Sequence, residues 1–256
     1  MIKTLVAIFS YCLLLFLIAP MLVIIYMSFS SDAYFLLDSS QFSLQWYKQL
    51  TSDSVWLKAL KNSLQIGILS TTLSLMFAVP AAFWIHQNTS YRNLMLSLMI
   101  SPMIIPPMIA AVSWFFYYNS IGFFNSMFNL ILSNCIIGIP FVVISVLATL
   151  NNYTWNNEKS SLICGANKLQ TFYYITLPAV YPGILIGGIL SFIASFDELI
   201  VALFLSTYET RTIPLEMWSS MRENISPVVL AVTSLLMLFS LISMLLVEFL
   251  RKRKND

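Results

Sequence analysis

The sequence predicts an all-α membrane protein of about six transmembrane helices. Three observations predict it. First, 59% of the 256 residues are hydrophobic and only 9% are charged, with a mean hydropathy of +0.82. A soluble domain is roughly a quarter charged, so this chain cannot cover a core with a wetted surface. Second, the apolar residues come in blocks of about 20 or more, the length needed to cross hydrocarbon as a helix. Third, all the charged residues except Asp197, Glu198 and Glu248 lie outside those blocks.

Span one runs from about Leu5 to Phe29, with Pro20 inside it. It is too long for a signal-peptide core and lacks a small-x-small cleavage site, so it reads as an uncleaved span. Residues 30–61 are mixed and polar, with Asp32, Asp38, Lys48, Asp53, Lys58 and Lys61. Trp46, Tyr47 and Trp56 place part of this stretch along the membrane interface. Span two covers about 62–85 and span three about 93–117. Pro102, Pro106 and Pro107 lie in span three and predict a broken helix, because each removes a backbone donor and crowds the preceding turn. The freed carbonyls need partners inside a bundle. The break is either a gate hinge or a static kink. Span four covers about 130–150 and carries Pro140.

A polar stretch, about 151–179, separates span four from span five at about 180–205. From Glu158 to Pro182 it reads EKSSLICGANKLQTFYYITLPAVYP, too polar to cross a bilayer. Long loops in compact proteins are usually functional, which predicts a docking element for a soluble partner. Gly165 can take a left-handed turn. Leu177-Pro178 is expected to end a short helix, since the residue before proline disfavours the α region. The local forecast is helix, turn, helix. A second charged loop, about 206–226, precedes span six at about 227–250, where Ser226 and Pro227 suit a helix start. Six spans put both termini on one side. That side holds Lys3, Arg92, Lys159, Lys168, Arg251, Lys252, Arg253 and Lys254, and the other holds Lys48, Lys58, Lys61, Arg211 and Arg222. The excess places the termini in the cytoplasm.

Several classes are excluded by what the sequence contains. The net charge of +2 does not favour nucleic acid. Cys12, Cys135 and Cys164 are isolated and His86 is the single histidine, so no clustered metal or catalytic set is expected. No phosphate-binding loop of the glycine, four residues, Gly-Lys-Ser/Thr form occurs, so ATP hydrolysis by that route is not expected of this chain.

The polar stretch resembles the cytoplasmic EAA loop of permease subunits from binding-protein-dependent ABC importers. In that family a Glu-Ala-Ala triplet is followed by three residues, a glycine, nine residues and Ile-x-Leu-Pro. Here Gly165 and Ala166 begin the run that ends in Ile175-Thr176-Leu177-Pro178 at the same spacing. The triplet departs from the pattern: Lys159, Ser160 and Ser161 occupy it, with Glu158 one residue early. The resemblance implies a single MetI-like transmembrane permease domain over residues 1–256 in a bacterial inner membrane. It also implies a separate ATPase that binds ATP and Mg and docks on this loop, a second permease subunit and an external solute-binding protein. The stretch from Ser195 to Pro227 is similar to the spermidine/putrescine permease subfamily, PotC-like in particular, which implies polyamine transport. Importers of opines, aminophosphonates or other small solutes are the alternative, and a secondary carrier or channel a more distant one.

Asp197 and Glu198 lie in apolar span five. An ionised carboxylate at membrane depth costs about 3 kcal/mol or more, so it must face water or a partner. At about 100° per residue a continuous helix puts Glu198 on the stripe of Gly183, Gly187, Ser191 and Ala194. Such a small and acidic face suits a translocation path for a cation. The alternative is a site near the outer boundary, solvated or paired with Arg211 or Arg222.

Overall fold

The structure is a computed structural model that describes residues 2–31, 42–87, 90–123, 126–153, 156–223 and 226–252. Asp32 and Asp38 of the predicted interfacial stretch, and Arg253 and Lys254 of the basic tail, lie outside them. In chain order the helices are α1 (Ile2–Ser28), α2 (Gln45–Ser52), α3 (Ser54–Gln87), α4 (Arg92–Ile100), α5 (Pro107–Ser120), α6 (Ser126–Asn151), α7 (Asn156–Ile163), α8 (Lys168–Thr171), α9 (Leu177–Phe196), α10 (Ile200–Leu205), α11 (Ile213–Glu223) and α12 (Val228–Lys252). Among the described residues the single strand-like pairing is an antiparallel bridge between Ser30 and Phe42.

Among the described residues five helical segments are long and apolar enough to cross a membrane, and the pair Arg92–Met103 with Pro107–Ser120, bent by 91°, gives a sixth when taken as one broken span. The bend falls at the predicted proline cluster. Pro102 lies in a 3₁₀ turn over Ser101–Met103, Pro106 precedes α5 with ψ 129°, and Pro107 opens it. A proline in the first helical turn loses no hydrogen bond, so the chain restarts a helix there. The two halves pack along different parts of α6. Met95, Leu96 and Met99 of α4 meet the cluster of Val142, Val146 and Leu150. Ala111 and Tyr118 of α5 meet Leu130 and Ile131. Helix α4 thus lies on the C-terminal half of α6, while α5 packs chiefly on α10.

The chain divides into two compact units, Met1–Lys58 with Glu216–Ile242, and Ala59–Leu215 with Ser243–Asp256. In the first unit the predicted interfacial stretch is tied to helix ends. The Tyr47 hydroxyl hydrogen-bonds Ser28 Oγ at 2.7 Å and Ser234 Oγ at 2.8 Å. Trp46 Nε1 donates to the Ser30 carbonyl at 2.7 Å, and the Phe29 ring stacks on Phe42 at 4.7 Å. Residues 3–23 of α1 are exposed throughout. In water such an apolar surface would aggregate; in lipid it is solvated. Ser226 and Pro227 form the turn before α12, their carbonyls accepting from Val229 and Leu230.

In the second unit α6 is the central post, with α9 packed along it. The stripe of small residues makes this possible. A Cβ on Gly183 would fall 2.9 Å from the Ser145 carbonyl, and one on Gly187 would fall 2.8 Å from Val142 Cα. Small residues allow this backbone approach, which drives helix pairing in lipid. Hydroxyls of α3 fasten it to both helices: Ser70 Oγ to Ser195 Oγ of α9 at 2.8 Å, and Ser74 Oγ donating to the Cys135 carbonyl of α6 at 2.9 Å. The stripe of Gly183, Gly187 and Ser191 is thus buried packing within the chain. It does not line a path, as the helical projection had suggested.

Candidate functional site

Two places carry the chemistry singled out in the sequence. The first is the turn between α7 and α8. Gly165 has φ +92°. The amide of Ala166 donates to the Ser161 carbonyl and that of Gly165 to the Leu162 carbonyl, both at 3.1 Å. These crossed bonds are the Schellman close of a helix, which requires the left-handed residue that glycine supplies. Asn167 then caps α8 reciprocally: its Oδ1 accepts from the Gln170 amide at 2.8 Å, and its own amide donates to Gln170 Oε1 at 3.0 Å. The predicted helix, turn, helix order is present.

The end of this element differs from the forecast. Leu177-Pro178 does not terminate a helix. The helical run resumes at Lys168 and continues to Phe196. The five residues Phe172–Thr176 form a π turn, and the Leu177 amide bonds back to the Phe172 carbonyl. That wider turn accommodates Pro178, which sits in the first turn of α9 and has no amide to satisfy. Leu177 accordingly stays helical, with φ −61° and ψ −47°. The helical run that carries span five thus begins at Lys168, 12 residues before the predicted residue 180.

Lys159, Ser160, Gly165 and Pro178 are exposed; Glu158, Ser161, Ala166, Ile175 and Leu177 are half-buried. Ser161 does more than keep the site small. Its Oγ donates to the Glu158 carbonyl at 2.8 Å and meets Thr171 Oγ1 at 2.8 Å. Because that serine proton is already used, Thr171 is the donor between them. The link joins α7 to α8 across the glycine turn. One carboxylate oxygen of Glu158 is buried without a hydrogen-bond partner among the described residues. Around the turn, Ile163 is 86% exposed and Tyr174 80%.

The second place is a cavity of about 400 Å³ at the break of the third span. Its wall includes Pro102, Met103, Pro107, Trp114, Phe141 and Glu198. Two of the three flagged prolines and one of the two flagged carboxylates therefore meet. Pro106 and Asp197 are not in the wall; Asp197 is exposed. The helical projection fails here for a clear reason. Helix α9 stops at Phe196 with Asp197 as its C-cap. Glu198 Oε1 then accepts from the amides of Ile200 at 3.0 Å and Val201 at 3.1 Å. A side chain that satisfies the next helix's first amides competes with continuing the previous one. An acidic residue before an apolar run is a helix-start signal, and it was hidden inside what looked like one span. The arrangement puts a carboxylate residue and two aromatic residues in the wall of one cavity, a combination that favours positive charge. Arg211 is not one of the partners that hold Glu198; its guanidinium lies 5.6 Å from the Tyr208 ring centroid.

Residues 70–256 match the family described as binding-protein-dependent transport system inner membrane component. The chain is 23% identical to the spermidine/putrescine transport system permease protein PotC of Haemophilus influenzae, over 96% of each chain. It is 26% identical to the putrescine transport system permease protein PotI of Escherichia coli K12, over 87% of this chain and 82% of that one. A bacterial ABC transporter that imports the acidic polysaccharide alginate shares the fold, with a TM-score of 0.69 and 16% identity, over 98% of this chain and 95% of that one. This chain belongs to the binding-protein-dependent inner membrane component family and is a multi-pass permease subunit of an ABC importer in the inner membrane.

Proposed function

We propose that this subunit forms half of a path for polyamines and is driven by a separate ATPase. The observation that carries the substrate class is Glu198 in an aromatic-walled cavity at the bend of the third span. A cavity whose wall holds Glu198, Trp114 and Phe141 suits a small cation and disfavours an anion. The two relatives named for spermidine and putrescine, which cover most of the chain, support the same class.

In this reading residues 1–256 act as one permease domain with both termini in the cytoplasm. The element from Glu158 to Pro178 is the foot on which the ATPase docks. Its exposed apolar side chains, Ile163 and Tyr174 among them, are the surface a partner would bury. ATP and Mg bind the ATPase, not this chain. A second permease completes the path and an external binding protein delivers the solute. Closure of the ATPases moves the foot, and α8, the π turn and α9 carry that movement into span five as one continuous helical run. Alternating access follows when the bend around Pro102 and Pro107 opens or closes against Glu198 (Asp197 lies just beyond, on the exposed side).

The test is reconstitution with the partner ATPase, second permease and receptor, and measurement of ATP-dependent uptake of labelled putrescine and spermidine. Receptor binding of polyamines is compared with opines and aminophosphonates. Uptake of an opine or aminophosphonate in place of a polyamine overturns the substrate class. Cysteines placed beside Gly165 that never crosslink to the ATPase overturn the docking role.

A further inference from the structure

Three side chains in the wall of the cavity at the break carry polar atoms: Ser113, Trp114 and Glu198. Glu198 Oε1 is occupied by the amides of Ile200 and Val201. Its Oε2 has no hydrogen bond among the described residues, and it is not sealed from water as the unpartnered oxygen of Glu158 is. Ser113 is exposed. Other helical hydroxyls of this chain close on a carbonyl one turn back. Thr72 Oγ1 donates to the Ile68 carbonyl at 2.8 Å, Ser120 Oγ to that of Tyr117 at 2.8 Å, and Thr233 Oγ1 to that of Val229 at 2.7 Å. The Ser113 hydroxyl makes no such bond, and no other, among the described residues. Two accessible oxygens of one wall are therefore unspent.

The two stand at a similar level. Helices α5 and α10 run side by side in the same direction: the first half of α5 lines this cavity with Glu198 and Val201. Their last turns meet at a second cavity of about 130 Å³, whose wall includes Tyr118, Asn119, Asn129, Leu205 and Ser206. Ser113 is six residues before Asn119, and Glu198 eight before Ser206. That puts them within about one helical turn, about 5.4 Å, along the pair.

The chemistry says what a hydroxyl adds there. A carboxylate with ring faces selects positive charge but not the kind of ammonium, since aromatic walls also hold quaternary ammonium groups. A hydroxyl oxygen tells them apart. A primary ammonium has three N–H donors and a quaternary one has none. Three donors match Glu198 Oε2, Ser113 Oγ and a ring face; the indole N–H of Trp114 only donates and takes no part. Methyl groups in the same place would cover the serine oxygen and leave it unpaired, the mismatch by which a polar site rejects an analogue.

We propose that Ser113 selects primary over methylated ammonium in this cavity, by accepting a second hydrogen bond from the group held at Glu198. The proposal rests on the polyamine reading of the same cavity and deepens it.

The experiment puts a thiol in the wall with Met103→Cys, in a chain whose exposed Cys12 and Cys164 are replaced by Ala; Cys135 is buried and stays. The chain is assembled with its partners in proteoliposomes. Labelling by aminoethyl methanethiosulfonate is compared with the trimethylammonioethyl reagent, each normalised to its rate with a free thiol. Both carry one positive charge, so the pull of Glu198 is common to them. The expected preference for the amino reagent is about tenfold, the low end for a hydrogen bond to a charged group. Ser113→Ala removes the preference and Ser113→Thr, which keeps the hydroxyl, retains it. A preference that survives Ser113→Ala reports only the bulk of the trimethyl group and overturns the proposal, as do equal rates with Ser113 in place. If Met103→Cys does not assemble, Ala110→Cys on the same wall gives the same readout. Uptake of labelled putrescine by the same preparations separates the two ideas. Putrescine uptake without a Ser113-dependent preference rejects the role of Ser113 alone; a Ser113-dependent preference without putrescine uptake supports that role and rejects the polyamine reading.

Discussion

Replacing Glu198 separates charge from architecture. Its Oε1 accepts from the amides of Ile200 at 3.0 Å and Val201 at 3.1 Å. Val201 is fully buried, so its amide has no access to water once that oxygen is gone. Glu198→Ala should therefore cost about 1–3 kcal/mol of stability, the range for an orphaned buried donor or a lost helix cap. Glu198→Gln keeps a neutral oxygen at the same place, and the cost falls to about 1 kcal/mol or less. The charge matters separately. A cation about 5 Å away at an effective dielectric near 20 gains about 3 kcal/mol. The cavity is open, and water screens roughly half of that, which leaves about 1.5 kcal/mol, or about tenfold in rate. The assay pairs thermal unfolding of the assembled transporter with initial rates of labelled putrescine uptake. The expected pattern is a stable Gln variant with uptake reduced about tenfold, and an Ala variant impaired in both. A Gln variant that transports at the wild-type rate refutes the path role and leaves Glu198 as a helix cap alone.

Three further outcomes follow from the geometry. Gly165→Ala meets no atom within 4 Å but must hold φ +92°, a left-handed conformation that costs a residue with a Cβ about 1–2 kcal/mol; ATP-driven uptake should fall and hydrogen exchange around the turn should speed up, and unchanged coupling argues against a rigid glycine turn. Gly187→Leu places a Cβ 2.8 Å from Val142 Cα, an overpacking cost of about 1–3 kcal/mol to be read as a lower unfolding temperature, with no change expected only if α9 does not lie on α6. Ser161→Ala removes the link to Thr171, worth about 0.5–1.5 kcal/mol; hydrogen exchange in α7 and α8 should speed up while α9 stays protected, and equal protection in both variants rejects the link.

The legible parts of this chain are those set by short-range chemistry. Pro102, Pro106 and Pro107 announced the break because a missing donor acts on its own turn, whatever packs outside. Gly165 announced the left-handed helix end for the same reason. The capping pair Asn167 and Gln170 was equally visible and overlooked. Pro178 misled, because its effect depends on how the preceding turn responds; a π turn over Phe172–Thr176 absorbs it. Glu198 misled too, because apolarity on both sides hid its role as a cap for the following amides.

By itself, the sequence determined that apolar helices cross a membrane, where one of them breaks, and where a glycine closes the polar element. Those outcomes follow from composition and from interactions within a few residues. Only the tertiary structure decided that Gly183 and Gly187 lie against α6, that Trp114, Phe141 and Glu198 line one cavity, and that Asn129 and Ser206 line another. Each of these pairings joins residues distant along the chain. The side-chain volumes and hydrogen bonds that select them exist only after the helices have packed.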